Sequence, residues 1–122
     1  LRPGHPAIAV SLNNLAGLHE SMGEYDEALP LYEEALAIEE AALRPGHPAI
    51  ATTLNNLGLL YKSKGDYDRA LPLLERALAL RTAAFPSGHP DIAASLNNLA
   101  MLHESKEDYD RALPLFEEAL AI

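Results

Sequence analysis

Apolar residues fall on a helical period along the chain. From Ile50 they recur at Leu54, Leu57, Gly58 and Tyr61, the i, i+4, i+7, i+8, i+11 spacing of one stripe on an amphipathic helix. Pro48 suits the first turn of that helix, where its missing N–H costs nothing, and the helix is expected to end near Lys64 and Gly65. A second stripe runs through Tyr67, Ala70, Leu71, Leu74, Ala77, Leu78 and Phe85 until Pro86, Ser87 and Gly88 stop it. The short connection at Gly65 and Asp66 obliges the two helices to lie antiparallel, so the unit is a helical hairpin. Pro72 stands inside the second helix, where a proline costs about 3 kcal/mol in a regular helix. Ala, Leu and Glu on both sides keep the period, and the helix is expected to pass through it, as at Pro30 and Pro114, with a tolerated bend.

This pattern occurs three times at an interval of 42 residues: His5, His47 and His89 each open a His-Pro-x-Ile-Ala string, followed by Asn13/Asn14, Asn55/Asn56 and Asn97/Asn98. A fixed period in this range marks a stack of short units that bury their apolar faces on one another rather than in a central core. The chain is therefore read as one array, 1–122, with repeats at 5–46, 47–88 and 89–122, the last cut short, giving six helices and an all-α fold. Small residues recur where backbones must approach: Ala16, Gly58 and Ala100 in the first helices, then Ala28, Ala70 and Ala112 with Ala35, Ala77 and Ala119 in the second. Tyr32, Leu74 and Phe116 fill the space between.

This arrangement resembles the tetratricopeptide repeat, and its Leu-Asn-Asn-Leu and Ala-Leu-Pro-Leu-Tyr/Phe strings with the longer unit resemble the kinesin light chain type of that family. The motif reads Leu54, Leu57, Gly58, Tyr61, Ala70, Leu74 and Ala77 in the second unit. The resemblance implies a right-handed superhelix of three helical hairpins, with the first helices lining a concave surface. It also implies a scaffold that takes a protein or peptide segment in that groove, and not an enzyme. Kinesin light chains bind acidic, tryptophan-containing peptides, but here the expected groove offers Lys62 against Glu20 and Glu104, so neutral or mildly basic segments fit better.

Composition narrows the alternatives. Hydrophobic residues make up 48% of the chain with seven aromatics, so Leu, Ala and Ile must build the core, which suits close helix packing. The absence of cysteine excludes disulfides and thiolate metal sites and agrees with a cytoplasmic location. No apolar run reaches membrane-spanning length, and a formal charge of −9 without a basic patch argues against nucleic acid and anionic membranes as partners. His5, His47 and His89 lie one repeat apart, too far to share a metal that needs nitrogen ligands at about 2 Å. They are expected to cap helices, and no metal or cofactor is expected. His19 and His103 replace Tyr61 in the core stripe and are expected to be hydrogen-bonded and half-buried.

On a helical wheel Ile8, Leu12, Leu15, Ala16 and His19 share one side, and Val10, Asn13, Asn14 and Gly17 lie on the other with Glu20 and Ser21. The candidate groove residues are thus Asn13, Asn14 and Gly17, then Asn55, Asn56, Leu59 and Lys62, then Asn97, Asn98 and Met101. An asparagine side chain both donates and accepts, so it can pair with the backbone of an extended peptide without reading its sequence. Three first helices stacked at roughly 8–10 Å span on the order of 20 Å, room for about six residues at roughly 3.3 Å each. The resemblance points to Asn14, Asn56 and Asn98 as the clasp. The competing role is an internal ladder in which one asparagine of each pair bridges adjacent repeats, a role that suits Asn13, Asn55 and Asn97 better.

The ends carry a second functional expectation. Neither shows a polar cap, and Leu115, Ala119 and Ile122 are expected to be partly uncovered. The segment then reads as a piece of a longer array, or as a spacer whose ends associate head to tail.

Overall fold

A computed structural model describes residues 2–122; Leu1, the counterpart of Leu43, lies outside the described residues. The helices are α1 (Pro6–Ser21), α2 (Tyr25–Ala42), α3 (Pro48–Ser63), α4 (Tyr67–Ala84), α5 (Pro90–Ser105) and α6 (Tyr109–Leu120). There is no strand among the described residues. α6 has 12 residues against 18 in α2 and α4, the expected truncation.

Local chemistry fixes where each helix starts and stops. The Nδ1 atoms of His5, His47 and His89 accept the backbone N–H of Ala7, Ala49 and Asp91, each at 3.0 Å. These rings satisfy donors that a helix start leaves orphaned, as a Ser or Asp cap would. At the other end, the N–H of Gly23 bonds the carbonyl of Glu20, and that of Glu24 reaches back to His19. The same pair of bonds closes α3 at Gly65 and Asp66, and α5 at Glu107 and Asp108. This helix ending needs a left-handed residue, supplied by Gly23 (φ 76) and Gly65 (φ 78). In the third unit Glu107 (φ 60) takes that conformation. Pro30, Pro72 and Pro114 all lie inside continuous helix and are exposed, so the carbonyl each fails to serve can turn to water.

Each pair α1/α2, α3/α4 and α5/α6 packs as a hairpin, and successive hairpins join through α2 on α3 and α4 on α5. The buried stripe of α2 is Ala28, Tyr32, Ala35 and Glu39, and that of α4 is Ala70, Leu74, Ala77 and Arg81. Their alanines bring the neighbouring backbones close, while Tyr32 and Leu74 fill the gaps. At Gly58 the approach is tightest, for a Cβ there would stand 2.7 Å from the Leu74 side chain. Core clusters therefore alternate along the stack: Ala16, Ala28, Tyr32, Leu57 and Leu60 seal the first junction, and Ala70, Leu74, Leu99 and Leu102 the second.

The ends differ in part from expectation. Ala119 is buried, because Ile92 and Leu96 of α5 close over it. Leu115 is half-buried and Ile122 exposed. The larger uncovered side chains are Leu15, Leu18 and Met22 at one end, and Tyr109, Leu113 and Leu120 at the other. His103 also departs from the reading, since it is buried with Nδ1 unpaired, 3.9 Å from Asp108. His19 is half-buried and contacts Glu24 at 3.0 Å, as expected.

Candidate binding groove

Side chains tie the first helices α1, α3 and α5 into a row. Asn13 Nδ2 donates to Thr53 Oγ1 at 2.8 Å, linking α1 to α3. Asn98 Nδ2 donates to Asn55 Oδ1 at 2.9 Å, linking α5 to α3. The six asparagines thus fall into two groups, but not along the expected line. Asn13 and Asn55, first of their pairs, belong to the internal ladder; so does Asn98, a second member assigned to the clasp. Asn14 and Asn97 are exposed and Asn56 is half-buried, and none of the three hydrogen-bonds another protein side chain among the described residues.

The neighbouring positions also separate. Gly17 lies under the Tyr32 hydroxyl, which would be 3.8 Å from a Cβ at that place. That hydroxyl donates to Glu20 Oε1 at 2.8 Å, so this carboxylate is committed inside the first unit. Burial, then the contact with Glu20, raises the tyrosine pKa above its ordinary value. Leu59 is half-buried and packs against the cluster of Ala70, Leu74, Leu99 and Leu102. Lys62 and Met101 are half-buried.

Two residues that a wheel of the first helices cannot show enter this face from behind. Glu39 and Arg81 occupy the same place in α2 and α4, one period apart, at the end of the buried stripe. Arg81 is 7% exposed and spans the second cleft: Nη1 donates to Ser95 Oγ at 2.9 Å and Nη2 to Thr52 Oγ1 at 3.5 Å. Burial lowers its pKa, and Asp91 opposes the shift. Glu39 is 3% exposed, and burial raises its pKa, opposed by the Thr53 hydroxyl and His47. The available signal was an ionisable residue in register with Ala28, Tyr32 and Ala35, where the stripe calls for an apolar one.

A cavity of about 310 Å³ opens between α1 and α3, lined by Val10, Asn13, Asn14, Glu39, Thr52 and Asn56 among others. A larger one, about 470 Å³, lies between α2, α3 and α4 and includes Leu36, Leu57, Tyr61 and Leu73. Size and chemistry disagree here. The larger crevice is mainly apolar and shares no residue with the asparagine row, whereas the smaller concentrates groups able to orient a polar chain. No cluster suited to a metal occurs among the described residues, and none of their helices is long and apolar enough to cross a membrane.

Comparison with known proteins places the architecture. The family model described as tetratricopeptide repeat matches residues 7–83 and 64–122. No curated protein matches the chain in sequence. The crystal structure of BtubC (BKLC) from P. vanneervenii superposes with a TM-score of 0.91 at 28% identity, over 98% of this chain and 48% of that one. A Podosopora anserina protein described as a kinesin light chain with nearly identical TPR-like repeats gives 0.82 at 30% identity, over 99% of this chain and 57% of that one. This chain therefore spans about half the length of these relatives. The TPR domain of Arabidopsis FLU, at 17% identity and a TM-score of 0.80 over 94% of this chain and 93% of that one, shares the fold.

Proposed function

Because the chain belongs to the tetratricopeptide repeat family, in its kinesin light chain type, we propose that the face formed by α1, α3 and α5 binds an extended segment of a partner protein. The observation that carries this reading is the division of the asparagines: Asn13, Asn55 and Asn98 are engaged within the stack, while Asn14 and Asn56, equivalent positions one period apart, line one cleft with amides that bond no other side chain among the described residues. A free amide presents a donor and an acceptor at the spacing of a peptide unit, so the row suits main-chain capture. Side-chain preference then comes from the clefts between first helices. This is a binding function and not a catalytic one, set in the cytoplasm, and the whole protein's partners follow from that proposal.

The test uses heptapeptides selected from a phage-displayed library on the native protein and then rebound to the Asn14→Ala/Asn56→Ala double variant. Affinity should fall at least about tenfold, the loss expected for one or two polar contacts, with the thermal melt unchanged. Equal binding to the variant would remove the groove from consideration.

One observation favours a second reading. Leu57 and Leu60 are buried under the preceding unit, whereas their counterparts Leu15 and Leu18 on α1 are exposed, and α6 exposes Tyr109 and Leu113 at the opposite end. One copy's α6 would then cover another's α1 in a head-to-tail contact. Light scattering over a concentration series decides this, since a molar mass constant at that of the monomer rules it out.

A further inference from the structure

Among the described residues, three buried side-chain polar atoms lack a hydrogen-bond partner: Asn13 Oδ1, Glu39 Oε1 and His103 Nδ1. The first two belong to residues lining the same cavity between α1 and α3. Both are oxygens. Asn13 offers its oxygen there because its amide nitrogen is spent on Thr53. Both oxygens are thus buried unpaired in the wall of this cavity, which is short of donors, a condition that is costly inside a fold.

The chain contains its own control. In the next unit the place of Glu39 is taken by Arg81, and its guanidinium supplies donors to Ser95 and Thr52 across the cleft between α3 and α5. There Asn55, the counterpart of Asn13, has its oxygen satisfied by Asn98. One cleft is filled by a cation from the chain, and the equivalent one is lined by a carboxyl that the Thr53 hydroxyl and His47 face but that keeps Oε1 unpaired.

We propose that the cleft between α1 and α3 is a subsite for a basic side chain of the bound segment, a lysine ammonium or an arginine guanidinium seated between Glu39 and Asn13. The inference rests on the groove reading above and adds a side-chain preference to it. Asn14 and Asn56 line the same cavity, so a main chain held by them passes its mouth. At about 310 Å³ the cavity stands at the lower end of the roughly 300–1,000 Å³ range of small-ligand sites, suited to one side chain. A cation supplies several N–H donors and a charge opposite to Glu39, whereas a neutral donor brings no charge, an apolar side chain leaves both oxygens unpaired and an acidic one is repelled. The formal charge of −9 draws a basic segment toward the protein.

The experiment titrates the isotope-labelled protein with four blocked heptapeptides, acetyl-Gly-Gly-Ala-X-Ala-Gly-Gly-amide, where X is lysine, arginine, norleucine or glutamate, following amide resonances by NMR. A basic peptide should shift the Asn13 and Asn56 side-chain amides and bind at least about tenfold more tightly than the norleucine peptide, the effect expected of a charge-assisted bond. Lysine against arginine tells which cation the cleft takes. Glu39→Gln should bring the basic peptides to the norleucine level and leave the norleucine peptide as it was. Basic and norleucine peptides binding alike, tightest binding of the glutamate peptide, or a basic preference that survives in Glu39→Gln each overturns the subsite while the groove stands. If no peptide perturbs α1, α3 or α5, the groove reading fails and the subsite with it.

Discussion

Glu107 holds a left-handed backbone, φ 60, at the place where the first two units use glycine. A side chain in that region costs about 1–2 kcal/mol, partly offset by the freedom a glycine loses on folding. Glu107→Gly should therefore stabilise the protein by about 0.5–1 kcal/mol, read as a higher denaturation midpoint; a lower midpoint would show that the turn depends on the glutamate side chain. Glu39 works against stability in a different way. Burial raises its folded pKa above the ordinary carboxylate value, so the native state binds the proton more tightly than the unfolded chain. That contribution is fully present below the unfolded pKa and is lost as pH rises through the folded one. Glu39→Gln should accordingly raise the melting temperature near pH 7 and change it little near pH 4, and a destabilised variant near pH 7 would mean that the Thr53 hydroxyl and His47 outweigh the cost of burial.

The helices were legible because their signals are local. Proline after histidine marks each start, glycine marks two of the three inner turns, and the small residues at Ala28, Ala35, Ala70 and Ala77 mark the stripe. The asparagine ladder was legible only in part, at Asn13 and Asn55, since identical Leu-Asn-Asn-Leu strings make different bonds in different units. What distinguishes them is contributed by the preceding second helix: Arg81 occupies Ser95, whereas beside Glu39 the counterpart Thr53 is left to Asn13. A wheel drawn for one helix cannot include a neighbour's side chain. Burial in such a stack depends on adjacent units alone, which gives an internal comparison. Leu60 is 0% exposed and its counterpart Leu18 is 56% exposed. Leu60→Ala should cost about 2–5 kcal/mol, and Leu18→Ala less than about 0.5 kcal/mol, in denaturant unfolding. Comparable losses at the two sites would mean that α1 is covered in solution. Removing one cap by His47→Ala should cost about 0.5–2 kcal/mol, and His47→Asn should recover most of it.

At the scale of the molecule, the same repetition that builds the stack also separates structure from function. Positions kept in every unit mostly seal junctions, while the substitution of Glu39 for Arg81 leaves one cleft filled and the other open. Function on this account lies on the α1, α3 and α5 face and not in the larger apolar crevice between α2 and α4. An NMR shift map with the lysine heptapeptide tests this most directly. Perturbations should concentrate at Asn14, Asn56 and their neighbours on the first helices, with α2 and α4 affected only near Glu39. Perturbations centred on Leu36, Tyr61 and Leu73, or none at millimolar peptide, would contradict it.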